Sequence, residues 1–238
     1  MIVEAPSRFQ RLVRVSGDAQ VELYRAELDG RAVALRLVRY AEQRRPIVDP
    51  KMVMSRTQEI VAALELTRVA PLLAVEAVPG GLISAEAWAG DRRLFDGSKL
   101  PLAELKRALA PALADLAKLH GARKWHGGIR PSRVIAGASG ATLVALPWSV
   151  ALTGMVRELS HELDRRSPER DPYRAPELAE LGPKAAGPAL DVYAIAQLVL
   201  RNVSGALSPQ LKGALDAAVD RDPARRPSLT ALSEALLG

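Results

Sequence analysis

The sequence predicts an α+β chain: a sheet-rich N-terminal part of about 85 residues, then a helical part of about 150. Three observations carry this. Short runs rich in β-branched residues are separated by turn signals early in the chain. Beyond residue 100, leucines recur every three or four positions, the period of one helix face. The length, 238 residues, suits one large domain or two closely packed lobes. There is no internal repeat.

Each element has its own signal. Val13–Val15, Val21–Ala26 and Ala32–Val38 read as strands, the last two joined across Leu28-Asp29-Gly30-Arg31, where Asp-Gly is a hairpin signal. A helix is expected next, with Ser55 and Gln58 as a capping box and Ile60, Val61, Ala63 and Leu64 as its apolar stripe. Pro71 closes that region, and Leu72–Val78 and Gly81–Ala85 read as a strand pair across Pro79-Gly80-Gly81. Leu102, Leu105, Leu109, Leu113, Leu116 and Leu119 mark a strong amphipathic helix ending at His120-Gly121. Leu190–Leu200 is apolar almost all round, the mark of a buried helix. Gln210–Val219 and Ser228–Leu237 complete the set, the last capped by Ser228 after Pro227.

Composition excludes several function classes. Hydrophobic residues make up 48% and charged residues 25%, ordinary globular proportions. No apolar run reaches the roughly 18–20 residues of a membrane span. The N-terminal MIVEAPSRFQRLVR lacks the apolar stretch of a secretory signal, so a cytoplasmic location is expected. Zero cysteines exclude disulfides, thiolate metal sites and cysteine nucleophiles. Three His and one Asn offer little to bind a metal, and none is expected. The net charge of +6 raises the question of nucleic acid, but the basic residues are dispersed and only 4% of residues are aromatic. A solvated basic surface is the favoured reading.

Five stretches, in order, resemble motifs of the protein kinase fold. AVALRLV (Ala32–Val38) resembles the V-A-I-K strand, and LAKLHGARKWHGGIRPSRVI (Leu116–Ile135) the helix and catalytic loop L-H-x-x-x-x-x-H-R-D-x-K-P-x-N. DPYRAPEL (Asp171–Leu178) resembles the A-P-E end of an activation segment. ALDVYAIAQLVLRNVSG (Ala189–Gly205) resembles the D-V-Y-S-x-G opening of the central helix, and DRDPARRPS (Asp220–Ser228) the D-P-x-x-R-P near the C-terminus. The resemblance spans about residues 12–237. It implies a bilobal kinase-like fold, with a small antiparallel-sheet lobe and one helix over 1–88 and a larger helical lobe over 89–238.

Phosphoryl transfer needs a lysine on the phosphates, an Asp and an Asn holding Mg²⁺, and an Asp to receive the substrate hydroxyl's proton. At the positions the resemblance assigns, the strand lysine is Arg36, the loop Asp is Gly128 and the Asn is Arg133. Leu146-Pro147-Trp148 stands where D-F-G would be, and Ser16–Val21 stands in place of the glycine-rich loop, with none of its three glycines in register. Two facts are independent of alignment. No Lys precedes Lys51, and residues 116–157, 42 in all, contain no Asp or Glu. Mg²⁺ usually takes at least one carboxylate. The family's mechanism is thereby excluded, and no cofactor is expected.

The motif residues that hold the fold are retained. Glu177 and Arg226 resemble the ion pair that ties the activation segment to the C-terminal helices. Asp191 resembles the helix-start carboxylate that accepts backbone N–H bonds from the catalytic loop, and His126 the residue packed beneath it. Glu59 has two readings: a partner for Arg36, as the family's helix glutamate, or a solvated first-turn glutamate favoured by the helix dipole. Glu65 is a second candidate. Arg36, Arg130 and Arg133 map to the cleft walls, with Arg123 and Lys124 just before the loop. Such cations invite an anion, unless Glu59, Asp91 or the charged segment 158–171 neutralises them, which is the favoured reading.

The resemblance therefore points to a bacterial-style pseudokinase, catalytically inactive, acting as a regulatory or scaffolding module. Its expected partner is another protein: an active kinase, a phosphatase or a client. The alternatives are a metal-independent anion or nucleotide-binding module and an atypical transferase.

Overall fold

The computed structural model describes residues 5–17, 21–39, 49–79, 81–146, 171–181 and 185–238. The chain divides into two compact units, Met1–Glu65 with Ala70–Ala89, and Leu66–Val69 with Gly90–Gly238.

Among the described residues, the first unit is a five-stranded antiparallel sheet with one helix. Strands β1 (Phe9–Gly17), β2 (Val21–Leu28), β3 (Arg31–Arg39), β4 (Leu72–Val78) and β5 (Gly81–Ala87) are ordered β1-β2-β3-β5-β4. The β2–β3 hairpin turns at Asp29 and Gly30, with φ of 51° and 74°; two successive positive φ angles are what a tight two-residue hairpin requires. β3 is central and largely buried. Its Val33, Leu35 and Leu37 join Phe9, Leu28, Ala74, Ile83 and Ala85 in the core of this unit. β1 is an edge strand with two irregularities against β2, and Leu12, Val13 and Val15 on it are exposed.

Helix α1 (Pro50–Ala63) begins five residues before Ser55, where the capping box is expected. Asp49 is the N-cap, accepting from the Lys51 backbone N–H at 2.9 Å, and Pro50 supplies the first helical residue. An Asp cap followed by Pro is a stronger start than a Ser inside a run of good helix formers. Ser55 instead donates to the Glu59 carboxylate one turn on, at 2.6 Å. The helix packs on β4, where Gln58 donates to the Leu72 carbonyl.

The second unit is mainly helical. Its elements are β6 (Leu100–Pro101), α2 (Leu102–Gly121), the hairpin β7 (Val134–Gly137) and β8 (Gly140–Leu143), α3 (Pro176–Leu181), α4 (Ala189–Asn202), β9 (Val203–Ser204), α5 (Pro209–Ala218) and α6 (Leu229–Leu237). The leucine stripe of α2 is buried from Leu105 to Leu119. Gly140 (φ 120°) lets β8 lie against that helix: a Cβ there would stand 2.8 Å from the Pro111 ring. Ser228 caps α6, accepting from Ala231 N–H. Leu66–Val69 belongs to this unit because its backbone is tied there. The Arg68 N–H donates to the buried Asp115 carboxylate at 2.5 Å, and the Leu143 N–H donates to the Arg68 carbonyl.

Among the described residues no helix is long and apolar enough to cross a membrane. Gly80, residues 18–20 of the glycine-loop stretch, Pro147 and Trp148 of the D-F-G stretch, and nearly all of the charged segment 158–171 lie outside the described residues.

Candidate functional site

In the second unit, α4 starts at Ala189, which puts Asp191 in its first turn, fully buried. Its carboxylate holds the loop after α2. Oδ2 accepts from the His126 backbone N–H at 2.8 Å, and Oδ1 from the Gly127 N–H at 2.7 Å. The His120 Nε2, at the end of α2, lies 3.0 Å from Oδ2. Such charge-assisted bonds to backbone N–H groups are strong and fix the loop's course. Gly127 takes a φ of 69°, which its lack of a Cβ makes cheap.

His126 is completely buried, and its Nε2 lies 3.1 Å from the Val144 carbonyl. Burial drives its pKa down to about 4; the Asp191 carboxylate opposes that shift, and the Arg133 and Arg130 guanidiniums add to it. The ring is therefore neutral at pH 7, with the Nε2–H donating to Val144.

Gly128, to which the resemblance gives the position of the loop Asp, is covered by Arg133. The Arg133 Nη1 donates to the Gly128 carbonyl at 3.0 Å. A Cβ on residue 128 would fall 2.0 Å from that same nitrogen. The guanidinium thus occupies the volume from which a side chain at 128 would project. Leu146, to which the resemblance gives the position of the metal-binding Asp, has no exposed surface and belongs to the apolar core.

Glu177 on α3 and Arg226, just before α6, form a buried bidentate pair. Nη1 reaches Oε1 and Nη2 reaches Oε2, both at 2.7 Å. Arg226 also donates to the carbonyls of Asp220 (2.8 Å) and Ala189 (3.0 Å), and stacks over the Tyr193 ring at 4.9 Å. One guanidinium therefore ties together α3, the start of α4 and the turn before α6.

A small pocket opens in this unit between the 127–133 loop and the 171–178 segment. It encloses about 30 Å³ and is lined by Gly127, Gly128, Arg130, Arg133, Asp171 and Arg174 among others. Arg130 Nη1 lies 3.5 Å from Asp171 Oδ2, while Asp171 Oδ1 accepts from the Tyr173 N–H at 3.1 Å. Ligand pockets for drug-sized molecules run to about 300–1,000 Å³, so this one is far too small for a nucleotide.

In the first unit, Arg36 does not pair with Glu59. Its Nη1 bonds to Glu86 Oε2 on the neighbouring strand β5. Register explains the partner: Ala34 faces Glu86 and Arg36 faces Ser84, so Arg36 and Glu86 lie diagonally on one face of the sheet. Glu86 is fully buried and Arg36 only 12% exposed. Glu59 is exposed on α1 and bonded to Ser55; it lies in the tenth position of the helix, not its first turn. Glu65 is likewise exposed, at a φ of 49° after the helix end. The sequence holds only part of a signal for Glu86: GLISAEA contains one charge in an apolar strand, as does AVALRLV, and a buried charge needs a partner, but LLAVEAV carries Glu76 in the same way, so strand register decides the pairing. Among the described residues no group of three or more metal-ligating side chains is assembled.

No protein-family model matches the chain, and no curated protein matches it. Solved structures do. The crystal structure of the Mycobacterium tuberculosis PknI kinase domain aligns over 97% of this chain and 94% of its own, with a TM-score of 0.64 and 18% identity. The fold is protein kinase-like. A single mutant of the same mycobacterial domain gives a TM-score of 0.63 at 17% identity, over 99% and 98% of the two chains. A double mutant gives 0.63 at 16%, over 97% and 95%. Within this kinase-like fold, the five-stranded sheet with one helix corresponds to the expected small lobe, and the helical second unit to the larger one.

Proposed function

We propose that the chain is a pseudokinase: a kinase-like module that transfers no phosphate and regulates or scaffolds by binding another protein. The observation that carries this reading is the geometry at Gly128. The position the resemblance gives to the proton-accepting Asp has no side chain, and the Arg133 guanidinium fills its place. Two further substitutions support it. Arg36, at the lysine position, is committed to a buried carboxylate on its own sheet, and Leu146 is core. Among the described residues, the carboxylates near the loop are engaged elsewhere: Asp191 holds backbone N–H groups, and Asp171 faces Arg130 and the Tyr173 N–H. This disfavours the atypical-transferase alternative, which needs a carboxylate for metal or proton.

The framework, by contrast, is fully built. Asp191, His126, Glu177 and Arg226 all make the buried contacts that hold loop and helices together. A kinase-like scaffold that keeps its frame and replaces its chemistry retains surfaces for recognition.

The test is a melting experiment with ATP, with and without Mg²⁺. A ligand at 100 times its Kd that binds only the folded state adds about 2.7 kcal/mol, a shift of several degrees. Millimolar Mg²⁺-ATP should leave the melting temperature unchanged. A Mg²⁺-dependent rise would count against the reading, and a metal-independent rise would favour a nucleotide-binding module.

A further inference from the structure

We propose that Ser139, at the tip of the β7–β8 hairpin, is a phosphorylation site whose phosphate is received by Arg68. The inference goes beyond the pseudokinase reading, because it names a modification that this chain accepts.

Gly137 pairs with Gly140, so Ala138 and Ser139 form the two-residue turn of the hairpin, and Ser139 is exposed. Arg68 meets it from 71 residues away, its Nη1 donating to Ser139 Oγ at 2.9 Å. The backbone sets this approach. The Arg68 N–H is held by the Asp115 carboxylate, and the Arg68 carbonyl accepts from the Leu143 N–H at the end of β8, at 2.7 Å. Arg68 is therefore anchored beside the hairpin independently of its side chain.

The guanidinium has more donors than one hydroxyl can use. An arginine carries five N–H donors, and the Arg68 Nε is buried without a hydrogen-bond partner among the described residues. A buried donor of this kind calls for an acceptor. Asp115 does not supply it: that carboxylate is buried and engaged with the Arg68 backbone N–H and, at 3.7 Å, with Lys118 Nζ. A phosphoryl group on Oγ brings three strong acceptor oxygens and nearly two negative charges at pH 7. Its geometry is one that a guanidinium fork matches bidentately. Other exposed serines lack this setting. Ser55 lies against Glu59 and Ser98 against Asp96, where a phosphate would meet a like charge.

The phosphoryl donor is ATP on a separate, active protein kinase. Ser139 Oγ forms a bond to the γ-phosphorus while the bond from that phosphorus to the β–γ bridging oxygen breaks. ADP leaves, and the hydroxyl proton passes to the base of that kinase. The phosphate then clamps the hairpin tip to the 66–69 segment.

The test incorporates phosphoserine at position 139 of the full chain during synthesis and follows its phosphorus NMR resonance against pH. A phosphoserine loses its second proton near about pH 6, and a neighbouring cation lowers that value. With Arg68 in place the midpoint should fall by at least about 0.5 pH units, roughly a threefold change in proton affinity. In Arg68→Gln it should return to about 6. Phosphoserine placed instead at the exposed Ser204 of β9 should also titrate at about 6, a comparison that stands if Arg68→Gln proves unstable. The chain modified at 139 should melt at least about 2 °C above the unmodified one. Chain purified from the cells that make it should carry a phosphoryl group on the peptide containing Ser139, read by mass spectrometry. An unshifted midpoint with Arg68 in place, equal midpoints at 139 and 204, no rise in melting temperature, or no phosphate on Ser139 in the chain from its own cells would overturn the proposal. Labelling of Ser139 by the purified chain alone with Mg²⁺-ATP would instead overturn the pseudokinase reading, and the separate donor with it, so the two failures are distinguishable.

Discussion

Removing Arg226 should destabilise the protein more than removing its partner Glu177, and the structure sets the order. The Arg226 side chain is fully buried and Glu177 is 6% exposed. Truncating Glu177 to Ala leaves the guanidinium with the Asp220 and Ala189 carbonyls and the Tyr193 ring, so part of its charge stays compensated. Truncating Arg226 leaves a buried carboxylate facing an empty space, and also two carbonyls without their donor. Breaking a buried pair costs about 3–5 kcal/mol. Glu177→Ala belongs near 3 and Arg226→Ala near 5 on that scale. At about 2–4 °C per kcal/mol for a chain of this size, the melting temperature should fall by about 6–12 °C and about 10–20 °C. Replacing both by apolar residues, Glu177→Leu with Arg226→Met, should recover much of the loss, because neither charge is then stranded. Differential scanning calorimetry with parallel urea titration reads all three. Lys212→Ala, at an exposed pair, is the control and should melt with wild type. If both single variants melted within about 2 °C of wild type, or if Glu177→Ala were the worse, the placement of this pair as the tie between α3, α4 and α6 would be wrong.

The sheet makes a matching prediction. Glu86→Ala strands Arg36 and should cost about 3 kcal/mol, whereas Glu59→Ala, at an exposed site, should change stability by less than about 0.5 kcal/mol; urea midpoints of the two variants decide between Glu86 and Glu59 as the Arg36 partner. The third prediction concerns acid. His126 has a native pKa of about 4 against the ordinary 6.5, so between those pH values the unfolded chain binds a proton that the native state does not. Its contribution is complete above pH 6.5 and is lost as pH falls towards 4, by about 3 kcal/mol. In His126→Gln that loss is absent, so the stability gap between wild type and variant should narrow from pH 7 to pH 4; a constant gap would contradict the buried neutral imidazole.

Much of this architecture is legible in the sequence because the relevant signals are local. Asp29-Gly30 dictates its hairpin through positive φ at both residues, and the α2 leucines dictate a buried face by spacing alone. Ser228 is readable as a cap because its oxygen reaches a backbone N–H three residues on. The start of α1 departs from the sequence expectation for a related reason: Asp49-Pro50 and Ser55 are both start signals, and the apolar stripe begins too late to choose between them. What could not be read is register. Arg36 can meet Glu86 only because β3 pairs with β5, which is not its neighbour in sequence, and no spacing rule links positions 50 residues apart. The pocket at Arg130 and Asp171 is likewise a product of tertiary folding, joining a loop before β7 to a segment before α3. The place of Arg133 above Gly128 shows a third limit. The sequence gives two substitutions at motif positions, and only their geometry makes them a single event in which one side chain takes the room of another.

The proposed pseudokinase transfers no phosphate. The most direct measurement is incubation of the purified chain with γ-labelled ATP, Mg²⁺ or Mn²⁺, and casein or histone as acceptor. Positioning and charge stabilisation supply nearly all the catalysis in phosphoryl transfer, and the positions that the resemblance gives to the lysine, loop Asp and metal Asp hold Arg36, Gly128 and Leu146. Incorporation should therefore stay at background with either metal, in wild type and in Gly128→Asp alike. Transfer above background that vanished in Arg36→Ala or Arg133→Ala, and persisted in Lys212→Ala, would contradict the account.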